Sequence, residues 1–283
     1  MAHLINGKEI SAAIRAELKD EVAALKARGV TPGLAVIIVG DDPASRVYVN
    51  NKKKACAELG MLSEEYALPA SVSMADLLRV LEVLNSRDDI HGILCQLPLP
   101  KHLDEREVIN AIDPKKDVDA FHPINVGGIM TGDYRFLPCT PAGVMLLLER
   151  SGISVEGKDC VVIGRSNIVG KPMAMLLLHK NATVTICHSK TRGLKEICRK
   201  ADLIVAAVGK ADFVTADMVR PGAVVIDVGM NRRENGKLCG DVRFEHVEPI
   251  ASAITPVPGG VGPMTITVLM KNTVASARAT LEK

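Results

Sequence analysis

The stretch CVVIGRSNIVGKPMAMLLL (residues 160–178) decides the fold of the second half of this chain. An apolar run ends at Ile163, a loop follows from Gly164 to Gly170, and Pro172 suits the first turn of a helix. A strand, a glycine-containing loop and a helix in this order bring backbone N–H groups and a helix N-terminus to the pyrophosphate of a dinucleotide. The spacing is G-x-S-x-x-x-G, not G-x-G-x-x-G, so the loop alone is also compatible with an ordinary turn.

The segment after the next strand indicates which dinucleotide would bind. A site for NAD usually has an acidic residue there, which binds the ribose 2′-hydroxyl. Here the strand ATVTIC runs into HSKTR (residues 188–192), which contains no acid. Hydroxyl groups and cations at this place, together with Arg165 in the loop, suit a 2′-phosphate. The sequence therefore favours NADP over NAD.

Short β-branched runs alternate with helical patterns along the whole chain, which predicts α/β sheets with parallel strands. Strands are expected at 34–39, 92–96, 159–163, 183–187, 203–208 and 223–228. Helices are expected at 11–27, 43–59, 74–86, 172–179 and 194–200. Residues 113–140 are rich in Pro, Gly and Asp and are expected to form a linker between two α/β halves. A last helix over 265–281 is expected to return to the first half.

The bulk composition excludes several classes of protein. A chain of 283 residues with 47% hydrophobic and 24% charged residues is typical of about two globular domains. The net charge of +2 argues against nucleic acid as the main partner. We find no apolar run long enough to cross a membrane and no signal peptide at the start. The seven cysteines show neither a C-x-x-C pair nor metal-ligand spacing, so we expect reduced thiols, no metal and a cytoplasmic protein.

The helix expected at 43–59 contains a tyrosine and a lysine on one face. Asp41 or Asp42 can cap this helix, and Gly60 can end it. Tyr48 and Lys52 fall on the same narrow stripe as Ala55 and Leu59, whereas Lys53 and Lys54 point toward solvent. Lys52 could reach water from the edge of the stripe. Alternatively, apolar surroundings could lower the pKa of Lys52 by about 2–3 from the reference value for lysine of about 10.4. This would give a base that is usable near neutral pH.

Three further segments place polar residues or glycines where a ligand could bind. Gln96 lies at the carboxyl end of a predicted strand, although a strand-end amide can simply hold a loop. Asp117 and Asp119 would share one side of an extended backbone, although an Asx-turn is the simpler interpretation. The segment ITPVPGGVGPMT (residues 254–265) could be a plain turn, or its glycines could let the backbone approach a flat ligand.

Together these stretches resemble one family, the bifunctional methylenetetrahydrofolate dehydrogenase/methenyltetrahydrofolate cyclohydrolases. The resemblance rests on YVNNKKKA, CQLPLP, KDVDAF, PCTPAG, GRSNIVGKP, CHSKT, VIDVGMN and ITPVPGGVGPMT, which follow the family's order over nearly the whole chain. It implies a folate-binding catalytic domain over 1–139, with a C-terminal helix over 265–283 that packs back on it. It also implies a Rossmann-like NADP-binding domain over 140–264 and a cleft between the two α/β domains. Tetrahydrofolate derivatives as substrates and a homodimer are further implications.

The resemblance also implies roles for individual residues. Lys52 matches the family's general lysine, Tyr48 the tyrosine that positions the folate, Gln96 the lysine's amide partner and Asp119 the acid that binds the pterin. The remaining substrate-binding matches are Leu97, Pro258, Gly259 and Gly260. The cofactor-binding matches are Gly164, Arg165, Ser166, Ser189, Met230 and Thr265. Two positions differ from the family pattern: Ala120 replaces a usual Gly beside Asp119, and Met230 replaces a usual Ile.

Other functions remain open at this point. Short-chain dehydrogenases also use a Tyr-x-x-x-Lys pair, but they place it downstream of the glycine loop, and here the order is reversed. An enzyme with dehydrogenase activity alone is another alternative. A non-catalytic NADP-binding module would use the same residues only for binding.

Overall fold

The computed structural model describes residues 2–233 and 235–282, with the side chain of Ala44 left out. The chain forms two compact units. The large-sheet unit consists of the chain up to Ala12 and of Thr140–Thr265, and the small-sheet unit consists of Ala13–Cys139 and the chain from Ile266 onward. The sequence assigned residues 1–139 to one domain, whereas the segment up to Ala12 lies with the large-sheet unit because its strand pairs there.

The strands are β1 (His3–Leu4), β2 (Gly33–Val39), β3 (Leu62–Leu68), β4 (Gly92–Cys95), β5 (Asp159–Ile163), β6 (Thr183–Cys187), β7 (Leu203–Ala206), β8 (Val224–Asp227), β9 (Asn231–Arg232), β10 (Leu238–Cys239) and β11 (Ala253–Ile254). The helices are α1 (Gly7–Ala27), α2 (Pro43–Leu59), α3 (Met74–Ser86), α4 (Glu105–Ala111), α5 (Pro123–Thr131), α6 (Cys139–Arg150), α7 (Gly170–His179), α8 (Leu194–Cys198), α9 (Phe244–Val247) and α10 (Val261–Arg278). A 3₁₀ helix spans Ala216–Met218.

The large-sheet unit is built on a parallel sheet with the strand order β1-β11-β8-β7-β5-β6. The chain passes from β5 to β6 on one side and then to β7 on the other side of β5. The strand order therefore reverses between β5 and β7, and open α/β sheets bind ligands outside the carboxyl ends of strands at such a point. Strands β5 and β7 are buried along nearly their whole length, as expected for strands with both faces covered.

The small-sheet unit contains a parallel sheet of three strands in the order β3-β2-β4. The central strand β2 is fully buried, and residues of α3 such as Leu77 and Leu81 pack into the same apolar core. The strand β3 was not predicted. Its sequence LSEEYAL carries two glutamates, which an edge strand tolerates because one side of it remains accessible.

The α/β class and the parallel sheets predicted from the sequence are confirmed, with differences at several boundaries. Strand β4 ends at Cys95 and not at Gln96, and β7 ends at Ala206. The linker expected over 113–140 was wrong in part, because helix α5 (Pro123–Thr131) forms within it. Pro123 lies in its first turn, and Gly132 caps its end in a left-handed conformation. In the small-sheet unit, the last part of α10 binds neighbouring loops: Asn272 donates to the carbonyl of Val118 (2.8 Å) and Ser276 to that of Lys115 (3.0 Å).

Candidate active site

The glycine loop after β5 leaves no room for a side chain at two of its positions. Gly164 has a φ of +133°, and a Cβ atom there would collide with the carbonyl oxygen of Ala207, just after β7. A Cβ on Gly170, at the start of α7, would collide with the carbonyl of Gly164. The loop therefore needs glycine at both positions, and it lies at the point where the strand order reverses.

The side chains around this loop fit a phosphorylated dinucleotide. The hydroxyl of Ser166 accepts hydrogen bonds from the N–H groups of Val169 (3.1 Å) and Gly170 (3.3 Å), which closes the loop. Arg165 is exposed. Ser189 is also exposed, in a segment after β6 that supplies hydroxyl groups and cations without a carboxylate. Exposed cations and hydroxyl groups of this kind can bind a phosphate.

The other residues matched to the cofactor and to the loop at 254–265 lie in the same unit. Met230 is 45% exposed, and its Cε atom lies 3.2 Å from the place a Cβ on Gly262 would occupy. The hydroxyl of Thr265 lies 3.0 Å from that of Thr140. Pro258 is exposed and Gly259 is half-buried, but Gly260 packs against Gly7 so closely that a Cβ on Gly7 would collide with its carbonyl. Part of this glycine-rich loop therefore serves packing within the protein.

The helix α2 positions a buried lysine in the small-sheet unit. Asp42 caps the helix by accepting from the N–H of Ser45 (2.8 Å), and Gly60 ends it in a left-handed conformation, both as predicted. Lys52 is only 8% exposed, and its Nζ atom donates to Oε1 of Gln96 at 2.7 Å. The Nε2 atom of Gln96 donates to the carbonyl of Leu97 at 2.7 Å. The amide of Gln96 therefore turns its oxygen toward the lysine.

Lys52 and Asp119 are neighbouring ionisable groups, and burial disfavours the charged form of each. It lowers the pKa of Lys52, while the nearby carboxylate of Asp119 acts in the opposite direction. It raises the pKa of Asp119, against the effect of Lys52. The thiol of Cys139 faces Asp119, and its own pKa lies well above the usual range because it is buried beside that carboxylate. Burial therefore makes Lys52 easier to deprotonate than a lysine in water.

The neighbours of Lys52 on α2 have other surroundings. Tyr48, one turn earlier, is 38% exposed, and burial raises the pKa of its phenol. Lys53 pairs with Glu65 at 2.9 Å on the surface, and Lys54 is exposed. The prediction that the three lysines are not equivalent is confirmed.

The two aspartates of KDVDAF do not share one side of an extended backbone. The chain turns at Val118 and Asp119, and Asp117 is 2% exposed. Its carboxylate accepts from the N–H of His122 and from the amide of Asn125, both at 2.8 Å, so it holds the loop together. Ala120 has a φ of +58°, a conformation that favours glycine, which explains why a glycine is the usual residue of the family pattern at this position.

Cys139 lies in the segment PCTPAG, and no role for its thiol was predicted from the sequence. Asn272 lies next to it, with its amide donating to the carbonyls of Val118 (2.8 Å) and Leu137 (3.0 Å). This amide therefore ties the loop at Val118 to the segment just before Cys139. A buried cysteine usually indicates only packing, so the sequence carried no signal for this contact.

The fold and these sites define an α/β enzyme with a dinucleotide-binding sheet and a separate, buried amine. The family model for the tetrahydrofolate dehydrogenase/cyclohydrolase catalytic domain matches residues 5–119, and the one for the NAD(P)-binding domain of the same family matches residues 138–281. The bifunctional protein FolD of Acetivibrio thermocellus is 63% identical over 277 residues, which cover 98% of this chain and 97% of that protein. This chain therefore belongs to the tetrahydrofolate dehydrogenase/cyclohydrolase family.

Solved structures agree with this assignment. The bifunctional enzyme FolD, a methylenetetrahydrofolate dehydrogenase/cyclohydrolase from Campylobacter jejuni, has a TM-score of 0.97 at 51% identity, with 99% of this chain and 100% of that chain covered. The Trypanosoma brucei enzyme, solved with NADP cofactor and an inhibitor, has a TM-score of 0.96 at 40% identity, with 100% and 99% covered. The predicted family, enzyme class and cofactor class are confirmed. Among the described residues, no helix is both long and apolar enough to span a membrane.

Proposed function

We propose that this chain oxidises 5,10-methylenetetrahydrofolate to the 5,10-methenyl form with NADP⁺ and then hydrolyses that product to 10-formyltetrahydrofolate. The observation that carries the proposal of a second, hydrolytic step is the buried Lys52 amine, which is hydrogen-bonded to the neutral amide of Gln96 at 2.7 Å. A chain with dehydrogenase activity alone, or one that only binds NADP, would not need an amine kept out of water at this position.

Residues of the large-sheet unit would hold the cofactor. The loop with Gly164 and Ser166 would bind the pyrophosphate, Arg165 and Ser189 the 2′-phosphate, and Met230 and Thr265 would lie toward the nicotinamide end. When bound, NADP⁺ supplies the acceptor for a hydride. The chain needs little acid–base help for this oxidation, because a lone pair on the folate nitrogen stabilises the carbon that loses the hydride.

Residues of the small-sheet unit would hold the folate. Tyr48 would stack on the substrate, with Leu97 as a further binding position. The loop at Pro258, Gly259 and Gly260, which belongs to the large-sheet unit, would supply the remaining folate-binding positions. Asp119 would accept two N–H bonds from the aminopyrimidine edge of the pterin, a bidentate arrangement. A neutral Lys52 tolerates the methenyl cation next to it, whereas an ammonium group would repel it.

In the hydrolysis, water attacks the methenyl carbon, and Lys52 accepts a proton from it. The bond between this carbon and the N5 atom of the folate then breaks. One proton from the water passes to N5, and the other leaves to solvent as the formyl C=O forms. Gln96 keeps the amine oriented through both proton transfers.

The direct test is to mix the purified protein with methylenetetrahydrofolate and either NADP⁺ or NAD⁺, and to follow reduced cofactor and the methenyl species together. We expect NADPH to form, NADP⁺ to be preferred, and the methenyl species to disappear faster than it does without protein. Cofactor binding without any reduction would instead favour a non-catalytic module. Formation of NADPH with a methenyl species that decays only at the uncatalysed rate would favour a dehydrogenase alone.

Three further properties are part of the proposal. The small-sheet unit would bind the folate and the large-sheet unit NADP, so the bounds expected from the sequence, 1–139 with 265–283 and 140–264, would apply except for the segment up to Ala12 and Thr265. The protein would form a homodimer, which light scattering during gel filtration tests. It would work in the cytoplasm in one-carbon metabolism; all seven cysteines lie among the described residues and are free thiols, as a reducing compartment requires.

A further inference from the structure

Two aspartates of the large-sheet unit are buried although the proposed mechanism does not use them. Asp227 is the last residue of β8 and Asp241 follows β10; they are 3% and 0% exposed. Burying a carboxylate is unfavourable unless donors surround it. We call this pair the aspartate clamp (Asp227 and Asp241).

Asp241 joins two loops at the carboxyl end of the sheet. Its Oδ2 atom accepts from the N–H groups of Val208 (2.6 Å) and Gly209 (3.0 Å). Its Oδ1 atom accepts from the N–H of Lys210 (2.9 Å) and from the side-chain amide of Asn231 (2.9 Å). The first three donors belong to the loop after β7, and Asn231 is the first residue of β9, directly after the loop that follows β8.

Asp227 holds Asp241 in place. Its Oδ1 atom accepts from the N–H groups of Gly229 and Asp241, and its Oδ2 atom from that of Val242, all at 2.9 Å. A Cβ on Gly229 would collide with the carboxylate of Asp241, and one on Gly240 with that of Asp227. The surrounding backbone therefore fits both carboxylates closely. Burial raises the pKa of Asp227 to about 7 although these N–H groups oppose the change.

Both loops lie next to the positions assigned to the cofactor. Ala207 directly precedes the residues held by Asp241, and its carbonyl is the atom against which Gly164 packs. Met230 lies between Gly229 and Asn231, which donate to Asp227 and Asp241 respectively. The aspartate clamp thus fixes two backbone segments. One is the loop after β7, which begins beside the glycine loop, and the other is the segment that carries Met230.

We infer that Asp227 and Asp241 are positioning residues of the cofactor site, which hold the loops after β7 and β8 in the arrangement that binds NADP⁺. This inference rests on the proposed function. Its physical basis is that four donors from two loops converge on one carboxylate. An asparagine at that position has a single acceptor oxygen, so N–H groups on one side would lose their partner.

The test compares Asp241→Asn with Asp217→Asn, an exposed aspartate of the same unit whose side chain is 57% exposed. Calorimetry gives the Kd for NADP⁺, and hydrolysis of methenyltetrahydrofolate without cofactor gives an activity that does not require NADP⁺ binding. We expect Asp241→Asn to raise the Kd and the KM for NADP⁺ at least about tenfold, with hydrolysis changed by less than about twofold. Asp217→Asn should leave all three values unchanged. The double variant Asp241→Asn with Asn231→Asp restores the link between residues 231 and 241 and should recover part of the affinity.

A folded Asp241→Asn protein with wild-type affinity for NADP⁺ would overturn the inference, and so would a double variant that recovers nothing. If Asp241→Asn does not fold, Asn231→Ala removes one donor only and should still raise the Kd about threefold; an unchanged Kd would overturn the inference as well. A wild-type protein that binds NADP⁺ but converts no folate would refute the proposed function, while the calorimetric comparison would still decide on the clamp.

Discussion

The Nζ atom of Lys52 lies 2.7 Å from Oε1 of Gln96, and Gln96 is itself oriented by the carbonyl of Leu97, also at 2.7 Å. The direct partner of the buried amine is thus a neutral oxygen and not a carboxylate. A neutral partner accepts a hydrogen bond from both the amine and the ammonium form, so it can hold Lys52 throughout a proton transfer. This contact leads to the first two predictions.

Replacing Lys52 with Met should abolish the hydrolysis step while NADP⁺ still binds. Methionine fills a similar volume but cannot accept a proton, so we expect the rate of methenyltetrahydrofolate hydrolysis to fall at least about 100-fold. The Kd for NADP⁺ should change less than about twofold. Lys53→Met is the matched control because Lys53 pairs with Glu65 at the surface. A Lys52→Met variant with normal hydrolysis would remove Lys52 from the mechanism.

Replacing Gln96 with Glu should make hydrolysis require a higher pH. A carboxylate in contact with Lys52 favours the ammonium form and raises the pKa of the amine. Since hydrolysis needs the free amine, its pH–rate profile should shift to higher pH, and the rate at pH 7 should fall at least about threefold. Gln96→Met, which lacks the charge, should slow the reaction without this shift. An identical profile for Gln96→Glu and the wild type would contradict a role for the amine in hydrolysis.

Replacing Gly164 with Ala should weaken both the fold of the large-sheet unit and the binding of NADP⁺. The added Cβ would collide with the carbonyl of Ala207, and we expect the free energy of unfolding to fall by at least about 2 kcal/mol. Gly157→Ala separates the two causes, because Gly157 also has a positive φ (+68°) but open space around it. That variant should lose only about 1 kcal/mol. Equal losses in denaturant unfolding would show that the contact with Ala207 does not matter.

Replacing Ser189 with Asp should weaken the preference for NADP⁺ over NAD⁺. A carboxylate at this exposed position would repel a ribose 2′-phosphate, and we expect the KM for NADP⁺ to rise at least about tenfold, with a smaller effect on NAD⁺. Ser252→Asp, also exposed and in the same unit, should change neither value. The ratio of kcat/KM for the two cofactors measures this directly. An unchanged ratio would place the 2′-phosphate elsewhere.

The elements that the sequence predicted well are those whose signals are local. Helix α2 has an N-cap at Asp42, a proline at its first turn and a glycine at its end, and it forms over the predicted residues. The strand β5 and the glycine loop after it were also recognised from adjacent residues. The strand β3 was missed because its two glutamates hide the apolar pattern, and their partners, Arg87 for Glu64 and Lys53 for Glu65, are distant in the sequence.

The candidate site shows the same limit. The pattern of α2 put Lys52 on the same stripe as Ala55 and Leu59 but left open whether its amine is buried. Its distance to Gln96 depends on how α2 lies over the sheet, which no local pattern encodes. The turn at Asp119 and the left-handed conformation of Ala120 were not predicted, because alanine seldom adopts that conformation. The contacts of Asp241 with the loops after β7 and β8 depend on donors that are 10 to 33 residues away in the chain.

The protonation of Lys52 tests the central claim most directly. With lysines labelled at ¹³Cε, the signal lost in Lys52→Met identifies this residue, and its chemical shift is followed as the pH is raised. Burial lowers the pKa of Lys52, so we predict that its amine loses its proton below the value of about 10.4 for a free lysine. The rate of hydrolysis should rise over the same pH interval. Titration of Lys52 at or above the value of a free lysine would contradict the account.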